Sequence, residues 1–388
     1  MPYASLSLPL SVACVAVALA STASAAQHLV RAGDDWSKLK DKVQPGDDIV
    51  LMPGTHRGAV IEGLAGEEGK PISIRPADLR KAVLIEADDT GIVLKSPRHV
   101  RIEAIAVAHA KRSGIVIEGT PTAPAEDVLL RSVYVAKTGD RGDKDAIRIE
   151  NAKRVTLDKC RIEAWHRAGV HVRSSRDVTI SGTEWVGGAD TPDKFGVAID
   201  GGSFGVTVDR ARFKPGVGIA VAIGIADTDV LPATAPATET GAPLPALAES
   251  VTVERCLSDR VERFAAIGAC RGVTIRANTV VSSNAVWEVA ATPKGWCDPT
   301  AVTIIANLIV WEPGTMQQFS VAAPGSAPKG VAVEANLWWS PELSAARQVL
   351  GDFVGTVKSP QITDRDPKVD NYFRPREESA KAFGTEAP

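Results

Sequence analysis

Aromatic side chains make up only 5% of the 388 residues, and there are just five cysteines and three methionines. A core so poor in large rings has to be filled by aliphatic and small side chains, while 33 glycines and 25 prolines demand frequent turns. That balance favours β structure. Neither sign of charge is in excess, since 44 Lys+Arg face 47 Asp+Glu for a formal net of -3, so nothing marks the chain as a nucleic-acid binder. Past the first 25 residues no stretch is long and apolar enough for a membrane helix. The 23% charged and 44% hydrophobic fractions exclude a mostly disordered chain.

The one apolar run, Leu6 to Ala20, is too short to span a bilayer and is followed by the small-residue signature Ala23-x-Ala25. Residues 1–25 therefore read as a cleaved signal peptide, and the mature protein is expected outside the cell or in the periplasm. Removing 25 of 388 residues leaves 363, more than one compact core usually holds. Either two domains or one elongated repeat array is expected.

Short β runs align with one another in two series. The first is Gly91–Lys95 (GIVLK), Gly114–Glu118 (GIVIE), Ala146–Glu150 (AIRIE), Gly169–Arg173 (GVHVR) and Gly196–Asp200 (GVAID). The second recurs at Val100, Val128, Val155, Val178, Val206, Val251, Val273, Val302 and Val331, most often as Val-Thr-Ile or Val-Thr-Val. Apolar residues alternate with period two, and the intervals, 22 to 32 residues except for one of 45, hold two or three strands each and leave no room for a helix. The pattern predicts an all-β, single-stranded right-handed parallel β-helix over residues 46–340.

Five residues after each second-series valine comes a position filled by Cys160, Cys256 and then Asn278, Asn307 and Asn336. Three asparagines in register predict an inward-facing amide ladder at a turn. Cys160 and Cys256 are expected to be buried and unbridged, whereas Cys270 and Cys297, ahead of consecutive strands, are expected to form a disulfide in an exported chain. Residues 26–45 form an N-terminal cap in which 34–43 read as a short amphipathic helix. Residues 225–249 are an inserted Pro/Ala/Thr-rich loop, and 341–388 a C-terminal cap and tail. A solenoid closed at both ends is expected to be a monomer.

The stretch Gly46–His56 (GDDIVLMPGTH) is similar to the GDxIxLxxGxY opening of secreted right-handed parallel β-helix proteins, and Gly66–Arg75 (GEEGKPISIR) resembles their GxxGxPIxI segment. The chain thus resembles the alginate and chondroitin lyases of polysaccharide lyase family 6 over most of residues 28–340, with His56 where an aromatic is usual. The resemblance implies the β-helix fold and a lyase that uses a Lys and Arg pair with a calcium-binding Asn/Glu set. That set has no residue-by-residue counterpart here.

In the first series, residues two and four of each run face inward, so residues three and five face outward. The outward rows are Val93, Val116, Arg148, His171, Ala198 and Lys95, Glu118, Glu150, Arg173, Asp200. Charged segments precede these strands, with Lys111 and Arg112, Asp140 to Asp145, His166 and Arg167, and Asp190 to Lys194. For elimination across a uronic acid, Arg148, Arg173, Lys144 or a calcium ion would neutralise the carboxylate. His171 would accept the proton, with Arg167 or Lys194 as the alternative base. Lys111, Arg112, Lys144, His166, Trp165 and Asp200 are the expected substrate-binding residues. Calcium is the expected cofactor, on Glu118, Glu150, Asp140, Asp143 and Asp145.

Besides the lyase, three functions remain open: an epimerase, a hydrolase and a non-catalytic binding protein. A hydrolase needs two carboxylates, and Glu118/Glu150 or Glu150/Asp200 meet the spacing, but Arg173 between the latter pair would keep both ionised. A non-catalytic carbohydrate-binding or surface protein would use Trp165, Trp185 and Phe195 to stack on sugar. In each case the expected partner is a polysaccharide, in the lyase case an acidic one.

Overall fold

The structure is a computed structural model that describes residues 25–139, 145–188, 193–225 and 244–283, most of 285–310, 320–321, 330–341 and short pieces between 357 and 384. Residues 1–24, which hold nearly all of the expected signal peptide, Asp140, Asp143, Lys144, most of the insertion and much of the tail lie outside these residues.

Three parallel sheets wind into one right-handed β-helix. Among the described residues, sheet I has 13 strands, sheet II 10 and sheet III 12. A typical coil runs from sheet II (Ile92–Lys95) to sheet I (Arg98–Glu103) to sheet III (Ala106–Ala108), then enters sheet II again one coil on at Ile115–Glu118. All nine second-series valines stack in one row of sheet I, from Val100↔Val128 to Val302↔Val331, and are buried. The first series stacks residue for residue in sheet II.

The glycine that opens each first-series run has a steric cause. A Cβ on Gly114 would sit 2.8 Å from the Ala146 carbonyl of the next coil, and one on Gly169 would sit 2.8 Å from the Gly196 carbonyl. At these two corners backbone meets backbone, so glycine fits without displacing a neighbour, while Ala146 holds the equivalent place on the coil between them. The corner from sheet I to sheet III works differently. Lys159, Arg210, Arg255 and Ala277 all take φ between 49° and 53° there, left-handed values that each break the strand for one residue.

The next residue is the expected ladder. Asn278 N and Nδ2 donate to Asn307 Oδ1 at 3.0 and 2.9 Å, and Asn307 repeats this on Asn336 at 2.9 and 2.8 Å. Each Nδ2 also donates to a carbonyl of the preceding coil, so the buried amides satisfy one another. Cys160 and Cys256 occupy the same position as buried free thiols.

Several boundaries move. Gln27–Val30 is already a strand of sheet I, paired with Asp48–Leu51, and the cap helix is a 3-10 turn, Trp36–Asp41. Trp36 plugs the open end of the core and donates from Nε1 to the Arg57 carbonyl at 3.0 Å. The insertion rejoins the lattice at buried Leu247 and strand Ala248–Glu254, before residue 249. Pairing continues past 340, where Val357–Lys358 joins sheet I and Gln361–Ile362 joins sheet III. The expected disulfide is absent, because Cys270 and Cys297 are both free, with the Cys297 thiol directed at the Cys270 carbonyl at 3.7 Å.

Candidate functional site

The outward stripe of sheet II divides into an open part and a sealed part. In the open part the fifth-position row, Lys95, Glu118, Glu150 and Arg173, advances one coil at a time. Arg148 bridges the middle, 3.2 Å from Glu118 and 3.6 Å from Glu150, while Lys95 lies 3.9 Å from Glu118 and Arg173 3.8 Å from Glu150. Nearby, Lys111 pairs with Asp88 at 3.0 Å and Arg112 with Asp89 at 3.6 Å on the preceding coil.

The sealed part is a buried quartet drawn from three consecutive coils. Asp145 stands just ahead of strand Ile147–Glu150, Arg167 just ahead of Ala168–Arg173, His171 within that strand, and Asp200 ends Asp193–Asp200. Arg167 grips Asp145 with two bonds, Nε to Oδ1 at 2.9 Å and Nη2 to Oδ2 at 2.7 Å. His171 Nε2 meets Asp200 Oδ2 at 3.0 Å, and Nδ1 lies 3.2 Å from Asp145 Oδ2 and 2.7 Å from Arg167 Nη2. All four residues are buried.

Register explains the meeting. Ile147 pairs with Val170, which sets Asp145 beside the residues leading into the His171 strand, and Arg173 pairs with Asp200, which brings that carboxylate one coil above. Phe195, Ala198 and Ala222, with Ile225, form an apolar cluster over the outer face here. They line a small recess with Arg167, His171 and Asp200, where Asp200 Oδ1 is buried without a hydrogen-bond partner.

Burial alone would discharge His171. The Asp200 charge and hydrogen bonds to Asp145 and Asp200 outweigh it, pushing the imidazole up to about 9. A charged His171 also balances the quartet, two carboxylates against a guanidinium and an imidazolium. Its Nδ1 then donates to Asp145; when neutral it accepts from Arg167. Asp145 is held below the ordinary carboxylate range, burial opposing this and the contacts of His171 and Arg167 prevailing. His171 is thus a buried imidazole whose proton is held well above the usual range, shut from solvent, instead of the exposed base expected from its outward position.

Trp165 also departs from expectation. It is a core residue whose Nε1 donates to the Phe195 carbonyl at 2.8 Å, anchoring the strand that carries Asp200. Trp185 is buried and stacked on Phe213 with ring centroids 4.7 Å apart, so neither indole faces sugar. His166, one residue before Arg167, is exposed. Lys194 lies on Asp193–Asp200, with its side chain outside the described residues.

Of the expected calcium ligands, Asp140 and Asp143 lie outside the described residues, and the other three are engaged by cations. Glu118 and Glu150 share Arg148, and Asp145 is taken by Arg167 and His171. Among the described residues no group of three His, Cys, Asp or Glu side chains is placed to hold a metal. All four quartet residues stood out in the sequence for their charge, but their convergence was legible only through the exact coil register ahead of each strand.

Neither a protein-family model nor a curated protein sequence matches the chain. Solved structures do. A PL6 family polysaccharide lyase from Pseudopedobacter saltans is 11% identical with a TM-score of 0.53, over 93% of this chain and 99% of that one. A GH136 lacto-N-biosidase from Eubacterium ramulus is 10% identical with a TM-score of 0.56, over 87% of this chain and 68% of that one. The PL6 family alginate lyase AlyGC is 13% identical with a TM-score of 0.50, over 93% of this chain, which spans 57% of that lyase's length. A lyase and a hydrolase match equally well, and what these likenesses establish is the right-handed parallel β-helix itself.

Proposed function

We propose that the chain is an exported, polysaccharide-active β-helix protein that holds an acidic polysaccharide along the open stripe of sheet II and eliminates across its uronic-acid linkages. One observation carries this reading: charged side chains on four successive coils, Lys95 to Arg173, form a row along the helix axis that ends at the buried quartet. Strands of a sheet lie about 4.8 Å apart, so the row offers an extended chain a contact at each step.

Elimination needs a cation on the uronate carboxylate, so that the carbon beside it can lose a proton. Arg148 and Arg173 are the partly exposed guanidiniums in place for that. Proton removal falls to an imidazole that a bound sugar reaches, and His166 is exposed whereas His171 is buried. The C–H electron pair becomes the new double bond, the bond to the departing oxygen breaks, and that oxygen takes a proton from water. His171 and Asp200 act from beneath, fixing the end of the stripe. No step runs through a metal.

A second reading, binding without cleavage, is favoured by the closed and charge-balanced state of the quartet. Incubating the mature protein with alginate, chondroitin and pectate while following the ultraviolet absorbance of unsaturated uronate separates the two. A rise lost in His166→Ala supports elimination. A flat trace with retention on one polymer in an affinity gel moves the protein to the binding class, and no retention on any acidic polymer sinks both.

A further inference from the structure

A groove of about 840 Å³ lies on the outer face of sheet I, on a different side of the β-helix from the stripe of sheet II. Its wall is the turn at Gly66–Lys70, closed by reciprocal backbone bonds between Glu67 and Lys70 and tied to the sheet by Gly66 N to the Arg98 carbonyl at 2.8 Å. Gly66 is required there, since a Cβ would stand 2.6 Å from the His99 carbonyl. The floor is Arg101, Leu129 and Thr156, stacked on successive coils.

The charges of the groove are matched except at three places. Arg98 pairs with Glu126, Arg131 with Glu103 and Asp158, and Arg154 with Asp127. Among the described residues, exposed Arg101 on the floor has no carboxylate partner, and neither Glu67 nor Glu68 on the wall has a cation. An unpaired guanidinium offers a planar fork for an oxyanion, and unpaired carboxylates accept from hydroxyls. Beyond Thr156 the same row continues as Thr179, Thr207 and Thr252, one hydroxyl per coil.

We infer that this groove is a second saccharide site, which takes a sugar bearing a carboxylate or sulfate on Arg101 and its hydroxyls on Glu67 and Glu68. The inference is independent of the stripe on sheet II. To keep the two faces apart, binding is measured by calorimetry on the full mature chain carrying Arg148→Ala. The probes are a uronate tetrasaccharide, a sulfated neutral tetrasaccharide and inorganic sulfate.

Arg101→Ala is expected to weaken whichever tetrasaccharide binds by about tenfold, the loss of one charge-assisted contact, with the melting temperature unchanged. Arg101→Lys restores only part of it. Which tetrasaccharide binds distinguishes carboxylate from sulfate. Equal binding by the Arg101→Ala protein overturns the site, as does binding of inorganic sulfate alone. If Arg148→Ala by itself abolishes saccharide binding, the groove falls and the stripe stands; if Arg148→Ala changes nothing and Arg101→Ala does, the reverse holds.

Discussion

Arg148 and His171 are neighbours in one row of one sheet, yet the Arg148 side chain is 29% exposed and that of His171 only 3%. Both point out of the solenoid. What separates them is cover: Phe195, Ala198 and Ala222 build an apolar layer over the later coils, while Arg148 sits among Glu118 and Glu150 at the surface. Pointing away from the core decides only which face a side chain is on. Its solvation is decided by what the neighbouring coils bring to that face, and solvation decides the chemistry.

The sharpest way to break this contrast is to delete one carboxylate of the sealed part. Asp145→Ala leaves Arg167 and His171 buried without their shared anion, and a loss of about 3–5 kcal/mol in urea denaturation is expected. If it costs no more than Arg148→Ala, the quartet is not sealed as described.

The pH dependence tests the same contrast. The folded value of His171 is raised to about 9 from 6.5, so its contribution is complete below about pH 6.5 and lost as pH rises through about 9. The loss on that alkaline limb should be on the order of 3 kcal/mol. Asp145 is shifted down, so its contribution holds above the ordinary carboxylate range and fades as the pH falls below it. Denaturation midpoints from about pH 6 to about pH 10 should decline in the wild type and stay level in His171→Gln. A level wild-type profile would show that His171 is not held as an imidazolium.

On the open side the effects invert. Arg148→Ala should cost less than about 1 kcal/mol of stability, because partly exposed pairs contribute little. Its retention on acidic polymers should nevertheless fall severalfold, more steeply at low salt, where charge contacts are screened least. The smallest expected effect is that of a chelator. With Glu118, Glu150 and Asp145 already matched by cations, the melting temperature should not move. A calcium-dependent rise in melting would reopen the carboxylates as ligands.

Much of the fold could be read because each coil touches mainly its two neighbours, so a residue's place in the repeat is its place in space. The valine row, the Asn278–Asn307–Asn336 ladder and the buried Cys160 and Cys256 all follow from counting along the chain. Counting fails where a side chain's surroundings come from other rows. Trp165 belongs to the core because Trp165 itself is the inward residue of sheet III at that coil, a sheet whose short strands, such as Glu184–Val186, carry little periodic signal. The left-handed corners at Lys159 and Arg210 were hidden as well, since they fall on long charged residues instead of glycine. Cys270 and Cys297 lie near each other in the coil count, but that count does not reveal that the Cys297 thiol is aimed at a carbonyl.

The pairing of Ser203 with Ala248 and of Asp209 with Glu254 crosses the insertion as though one ordinary coil separated the two strands. The lattice therefore keeps account of register and is indifferent to the number of residues between one rung and the next. Foreign segments of arbitrary length grafted between Ile225 and Leu244 should leave every row on either side in step. The same tolerance would let the coil that carries the Ala222 and Ile225 cover of the buried quartet take on an appendage without a change to any other coil.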